Sequence, residues 1–147
     1  MADLTIARPV IPVMSEEAIG KVRQLESIAT TLPQVPIRTD HVLHAGIYAR
    51  TVMVPAGVMI TGVLIKVATL LIVQGDALVY AGGEPIRLSG YNVVPATAAR
   101  KQAFIAQSDV YLTMIFPTDA RDVDEAERQF TDEIELLASR KEQLCQA

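Results

Sequence analysis

Between His41 and Phe116 the chain is broken repeatedly by turn-forming groups: Pro55-Ala56-Gly57, Gly75-Asp76, Gly82-Gly83, Ser89-Gly90 and Ser108-Asp109. The runs between them are short and rich in Val, Ile, Leu, Thr and Tyr. Turns spaced about 8–15 residues apart, with β-branched and aromatic residues between them, predict a sandwich or barrel of antiparallel hairpins. No run here is long and periodic enough for a crossover helix, which disfavours parallel α/β folds. Only 5% of the 147 residues are aromatic and none is Trp, while half are apolar. Small and β-branched side chains must therefore fill the core, as closely packed strands require. This length fits one domain that needs neither disulfides nor metal to bury a core.

Segments of different character flank the β zone. Residues 1–40 form an N-terminal arm with Pro9 and Pro12 near its start and a helix predicted over about 15–32. Ser15 can cap that helix, Glu16 and Glu17 favour its first turn, and Pro33 ends it. Ile19, Val22, Leu25, Ile28 and Leu32 recur every three or four residues as an amphipathic stripe. The β-barrel is expected over 41–117. Residues 118–147 are predicted as one long amphipathic helix capped by Thr118 or Asp119. Its narrow stripe is Val123, Ala126, Phe130, Ile134, Leu137 and Leu144. About 25 residues at ~1.5 Å each give nearly 40 Å, more than a small barrel needs as a cover. Two arrangements stay open: the helix lies across its own barrel, or it crosses to another subunit with Val123, Phe130, Ile134 and Leu137 as the seam.

Asp119 to Glu142 holds nine of the seventeen acidic residues and four of the thirteen basic ones, a local net of −5, so the remainder is +1. With no basic patch interleaved with aromatics, nucleic acid is not an expected partner. The longest apolar stretch, Val52 to Val73, is interrupted by Pro55, Gly57, Thr61, Gly62, Lys66 and Thr69, so neither a membrane span nor a membrane partner is expected. No leader pattern opens the sequence, and the single Cys145 fits a reducing compartment.

The stretch Pro55-Ala56-Gly57-Val58-Met59-Ile60-Thr61-Gly62-Val63-Leu64-Ile65-Lys66, followed by Gln74-Gly75-Asp76, resembles the first conserved motif of the cupin superfamily. Gly90 to Arg100, with Pro95 between them, resembles the second. The resemblance implies a cupin-like antiparallel β-barrel, or jelly roll. It also maps the family's metal-ligand positions onto Val63 and Ile65 (His-x-His), Ala68 or Thr69 (Glu) and Arg100 (His). Val and Ile offer no lone pair, and Arg is a permanent cation, so neither a metal nor any other cofactor is expected. The runs His44 to Arg50, Arg100 to Phe104 and Phe116 to Thr118 further resemble uncharacterised cupin-like proteins of tailed bacteriophages and prophages.

If the motif alignment holds, Arg100 points into the barrel. A buried guanidinium there must meet an anion, a carboxylate such as Asp76 or Glu84, or several carbonyls. A small anionic ligand held by Arg100 with Arg50, Tyr48 and Tyr91 is the candidate binding site. Lys66, next to Ile65, should face outward. His41 and His44, three apart, fall on opposite faces of a strand, one hydrogen-bonded and one exposed. No nucleophile elbow, Walker loop or dinucleotide glycine pattern is present, and no catalytic residue is assigned. The expected function is non-enzymatic: a phage or prophage protein that assembles with itself as a homo-oligomer or with phage structural proteins. Its expected location is the host cytoplasm or the virion. A metal-free cupin binding a small anion is the alternative, and a cupin-type enzyme with an atypical site the second alternative.

Overall fold

The computed structural model describes residues 9–137. Each of the five turn groups falls in a connection between strands. The strands are β1 (Thr39–His44), β2 (Ile47–Val54), β3 (Met59–Thr61), β4 (Thr69–Gln74), β5 (Ala77–Tyr80), β6 (Ile86–Leu88), β7 (Tyr91–Ala96), β8 (Ala103–Ala106) and β9 (Val110–Pro117). They form two antiparallel sheets, a five-stranded one ordered β1-β2-β9-β4-β7 and a four-stranded one ordered β3-β8-β5-β6. The chain passes repeatedly from one sheet to the other, and β9 returns to lie between β2 and β4.

Strict alternation sets which side chains are enclosed. Along β9, Val110, Leu112, Met114 and Phe116 are buried while Tyr111 faces solvent. Leu71 and Val73 of β4, Val79 of β5 and Val94 of β7 complete a core built mainly from aliphatic residues. Gly75 carries φ +122°, and a Cβ there would lie 2.6 Å from the Asp109 carbonyl oxygen, so only glycine allows the β4–β5 turn to pass the β8–β9 turn. The tight β1–β2 hairpin turns on Ala45 and Gly46, both at positive φ (53° and 72°), as two-residue hairpins require. The alanine concealed this turn from sequence reading.

The predicted first helix is present as α1 (Glu16–Ala29), with the Ser15 Oγ accepting a hydrogen bond from the Ala18 N–H at 3.1 Å. Ala18 and Val22 are buried, whereas Ile28 and Leu32, at the far end of the stripe, are exposed. Ahead of α1, Ile11 lies parallel to β7, its N–H bonded to the Pro95 carbonyl and its carbonyl to the Thr97 N–H. That segment ties the arm to the barrel.

The expected long helix over 118–147 needs correcting within the described residues. Helix α2 spans only Val123–Phe130, capped by Asp122 rather than by Thr118 or Asp119. At Thr131 the backbone is extended (φ −150°, ψ 149°), and a short 3-10 turn follows at Ile134–Leu136. The cause is tertiary. The connection between β3 and β4 offers the tail better partners than another helical turn would: the Phe130 carbonyl accepts from the Lys66 N–H, and the Thr131 hydroxyl donates to the Leu64 carbonyl. Leu144 and the end of the predicted stripe lie outside the described residues. The proposed intersubunit seam needs correcting too. Phe130 is 1% exposed and Leu137 is buried in the chain's own core, with Val123 and Ile134 packed against it.

Candidate functional site

Of the positions aligned with the cupin metal ligands, Ile65, Thr69 and Arg100 meet in space, and Val63 is buried in the core. Ile65 and Arg100 face each other across an isolated bridge, the Ile65 N–H bonded to the Arg100 carbonyl at 2.8 Å. Thr69, not the exposed Ala68, occupies the inward position at the start of β4. Its Oγ1 accepts from the Arg100 Nη2 at 2.5 Å. Arg100 is 1% exposed, facing inward. Its other hydrogen bonds go to the Thr97 carbonyl (2.5 Å), the Val67 carbonyl (3.2 Å) and the Gln102 Oε1 (3.3 Å).

Every one of these acceptors is a neutral oxygen. Asp76 and Glu84, the carboxylates considered as partners, are exposed and make no ion pair with Arg100. Burial without a compensating charge lowers the guanidinium pKa to about 10. This donor set does not fit a metal ion: the aligned positions offer two aliphatic side chains, one hydroxyl and a cation. Among the described residues no three of His, Cys, Asp and Glu group so as to hold one.

Tyr48 and Arg50 also face inward, on β2, but they belong to a second cluster that α2 closes. Arg50 Nη1 donates to the Glu127 Oε2 at 2.9 Å, with both side chains under one-tenth exposed. The guanidinium carbon lies 5.8 Å from the Phe130 ring centre. Tyr48 stacks on Phe130 and meets Phe116 edge-on. Its hydroxyl lies 2.7 Å from the His41 Nδ1. Burial raises the Tyr48 pKa, and the neighbouring Arg50 opposes that shift. His41 is thus the hydrogen-bonded histidine and His44 the exposed one. Tyr91 joins neither cluster, being 66% exposed on the outer face of β7. The strand pleat turns it outward, since it pairs with Gln74, whose side chain also points out.

Sequence reading missed two ionic contacts. Glu127 interrupts an otherwise apolar helix face between Val123 and Phe130, and that was the available signal for its buried pairing. Lys101 carried no such signal. It is fully buried, with its Nζ 3.0 Å from Glu26 and 3.4 Å from Glu133. Burial opposes the charge on Glu133, but hydrogen bonds from Arg23 and the Leu64 N–H and the charge of Lys101 outweigh it, holding the carboxyl below its ordinary range. Lys66 faces out, as expected, and pairs with Asp132 at 2.7 Å.

Outside the barrel, the outward face of the five-stranded sheet is the most distinctive surface. Strand register sets three rows across it: Val42–Ala49–Ile115–Leu70–Pro95, then Thr51–Thr113–Ile72–Val93, then Met53–Tyr111–Gln74–Tyr91. Over β2, β9, β4 and β7 no outward side chain is charged. The two central hydroxyls, Thr51 and Thr113, satisfy each other at 2.8 Å. Val42, Leu70, Tyr91 and Tyr111 are about half exposed or more.

The architecture is a cupin-like jelly roll, and solved structures of similar shape include cupin superfamily proteins. The plu4264 protein of Photorhabdus luminescens superposes with a TM-score of 0.50 at 13% identity, covering 66% of this chain and 88% of that one. A cupin superfamily protein from Desulfitobacterium hafniense gives 0.47 at 15% identity, over 63% of this chain and 88% of its own. A cupin-2 domain from Rhodospirillum rubrum gives 0.47 at 17% identity, over 62% and 67%. No family model matches the sequence, and no curated protein matches it. No helix among the described residues is long and apolar enough to cross a membrane.

Proposed function

We propose that this protein is a non-enzymatic, self-assembling cupin-like module whose contact surface is the outer face of the five-stranded sheet. The observation that carries this reading is the absence of charge from the outward positions of four adjacent strands in a chain of net charge −4. An uncharged apolar face meets a copy of itself without repulsion or stranded charge. Its exposed and half-exposed side chains offer on the order of 700–800 Å² per copy, close to what a standard interface needs from each partner. The barrel interior supports the same reading, because α2 and the Arg50–Glu127 pair fill its mouth. The resemblance to phage and prophage proteins suggests a virion-associated setting, which mass spectrometry of purified virions tests. Sedimentation at 1–50 µM (on the order of ordinary dimer affinities) should show a dimer, and Leu70→Lys should give a folded monomer. A wild-type chain that sediments as a monomer throughout that range sinks the proposal.

A second reading has one observation in its favour. The Arg100 guanidinium is buried without a carboxylate partner, and beside it the Gln102 Nε2 is buried without a hydrogen-bond partner among the described residues. A small anion entering there would satisfy both. Acetate and inorganic phosphate should then raise the thermal midpoint of the wild-type chain but not of Arg100→Met. Equal midpoints with and without the anions reject this reading.

A further inference from the structure

The outer face is not uniform along its strands. At one end β4 begins its pairing with β9 only at Leu70↔Ile115, so Phe116 and Pro117 extend past it while still paired to β2. The missing neighbour leaves a groove of about 370 Å³ lined by Ile47, Leu70, Ile115 and Pro117. At the other end of β9, Tyr111 stands half exposed. Tyr111 and Ile115 are four residues apart on the same face, about 13 Å.

We propose that two copies pack face to face about a two-fold axis that crosses the strands near Thr113, so that each Tyr111 ring enters the groove of the other copy. This rests on the self-assembly reading and assigns its register. A two-fold axis lying in the interface across the strands reverses strand direction and brings the tyrosine end of one copy over the groove end of the other. Both grooves are then filled by the same contact, made twice. An axis running along the strands would instead place tyrosine against tyrosine and groove against groove, leaving two voids without contacts at one end of the interface. A phenol ring suits the groove: its faces meet Leu70, Ile115 and Pro117, and its hydroxyl can reach water at the open edge. The outward positions of β2, β9, β4 and β7 enclose no charged group in this arrangement, and on β1 Asp40, in the Thr51 row, stays at the exposed edge paired with Arg38.

The test uses full-length chain with Cys145→Ser, so that no native thiol interferes. Tyr111→Cys and Ile115→Cys are made in separate chains, mixed, and oxidised. The expected product is a covalent heterodimer of the two, with little disulfide dimer from either alone. Efficient cross-linking of Tyr111→Cys to itself overturns the register, while a wild-type chain that stays monomeric overturns the self-assembly reading beneath it. Because cysteine removes the ring, a second measurement keeps it in one arm. Tyr111→Ala should weaken the dimer by about tenfold or more, as loss of a central aromatic anchor does, and Tyr91→Ala by much less. A Tyr111→Ala dimer as tight as wild type overturns the proposal.

Discussion

Glu127→Leu leaves the Arg50 guanidinium inside the barrel without its carboxylate. The two side chains are 4% and 9% exposed, so water cannot replace the lost carboxylate, and removing one partner of such a pair costs about 3–5 kcal/mol. Arg50→Met should cost a similar amount for the reciprocal reason, with the contact to the Phe130 ring lost in addition. The double variant removes both charges and fills the space with aliphatic side chains of similar volume. Its stability should return to within about 1–2 kcal/mol of wild type, giving a coupling energy of several kcal/mol in the cycle. Urea unfolding followed by circular dichroism reads this directly. With a slope near 2 kcal/mol per molar, either single variant should move the midpoint down by about 2 M at constant slope. If Glu127→Leu moves it by less than about 0.5 M, or the double variant is as unstable as the two singles added together, α2 does not close the barrel as a buried charged plug.

Acid should loosen the clasp around Glu133. Its folded pKa lies below the ordinary 4.5, so its stabilising contribution is complete above that value and is lost as pH falls through the folded pKa. Glu133→Gln should therefore lower stability at neutral pH and flatten the decline below about pH 5 in urea midpoints measured from pH 7 to 3; an unchanged acid slope counts against the clasp. Gly75→Ala places a methyl against the Asp109 carbonyl oxygen at positive φ. It should cost more than about 2 kcal/mol or prevent folding, and a wild-type melting temperature would refute the close approach of the two turns.

What the sequence revealed depended on how local the determinants were. Turn groups and β-branched runs placed the strands because both act within a few residues, and Ser15 with Pro33 bracketed α1 for the same reason. Arg100 was placed inside the barrel by its resemblance to the second cupin motif, but not its partners, because backbone carbonyls look alike in any sequence. The tail failed where tertiary bonding overrode periodicity. Val123 to Leu137 keep helical spacing, yet Thr131 leaves the helix to bond Leu64, and the stripe buries itself at home. The uncharged sheet face was present in the residues throughout. It became visible only once register aligned the outward positions of strands distant in sequence, such as Leu70 and Ile115.

The buried Lys101 ammonium gives the two ends of the chain a common fate. Glu26 reaches it from α1 and Glu133 from the segment after α2, and Arg23 of α1 bonds the same Glu133. Lifting either segment away leaves a cation in the interior with half its compensation gone, which makes departure of the second segment easier than departure of the first. The arms should therefore open as one cooperative unit, with amide exchange in α1 and around Thr131 slowing and quickening together. A load applied at one end, such as a fused domain or a bound partner, would be felt at the other through Lys101 and the Arg23–Glu133 pair.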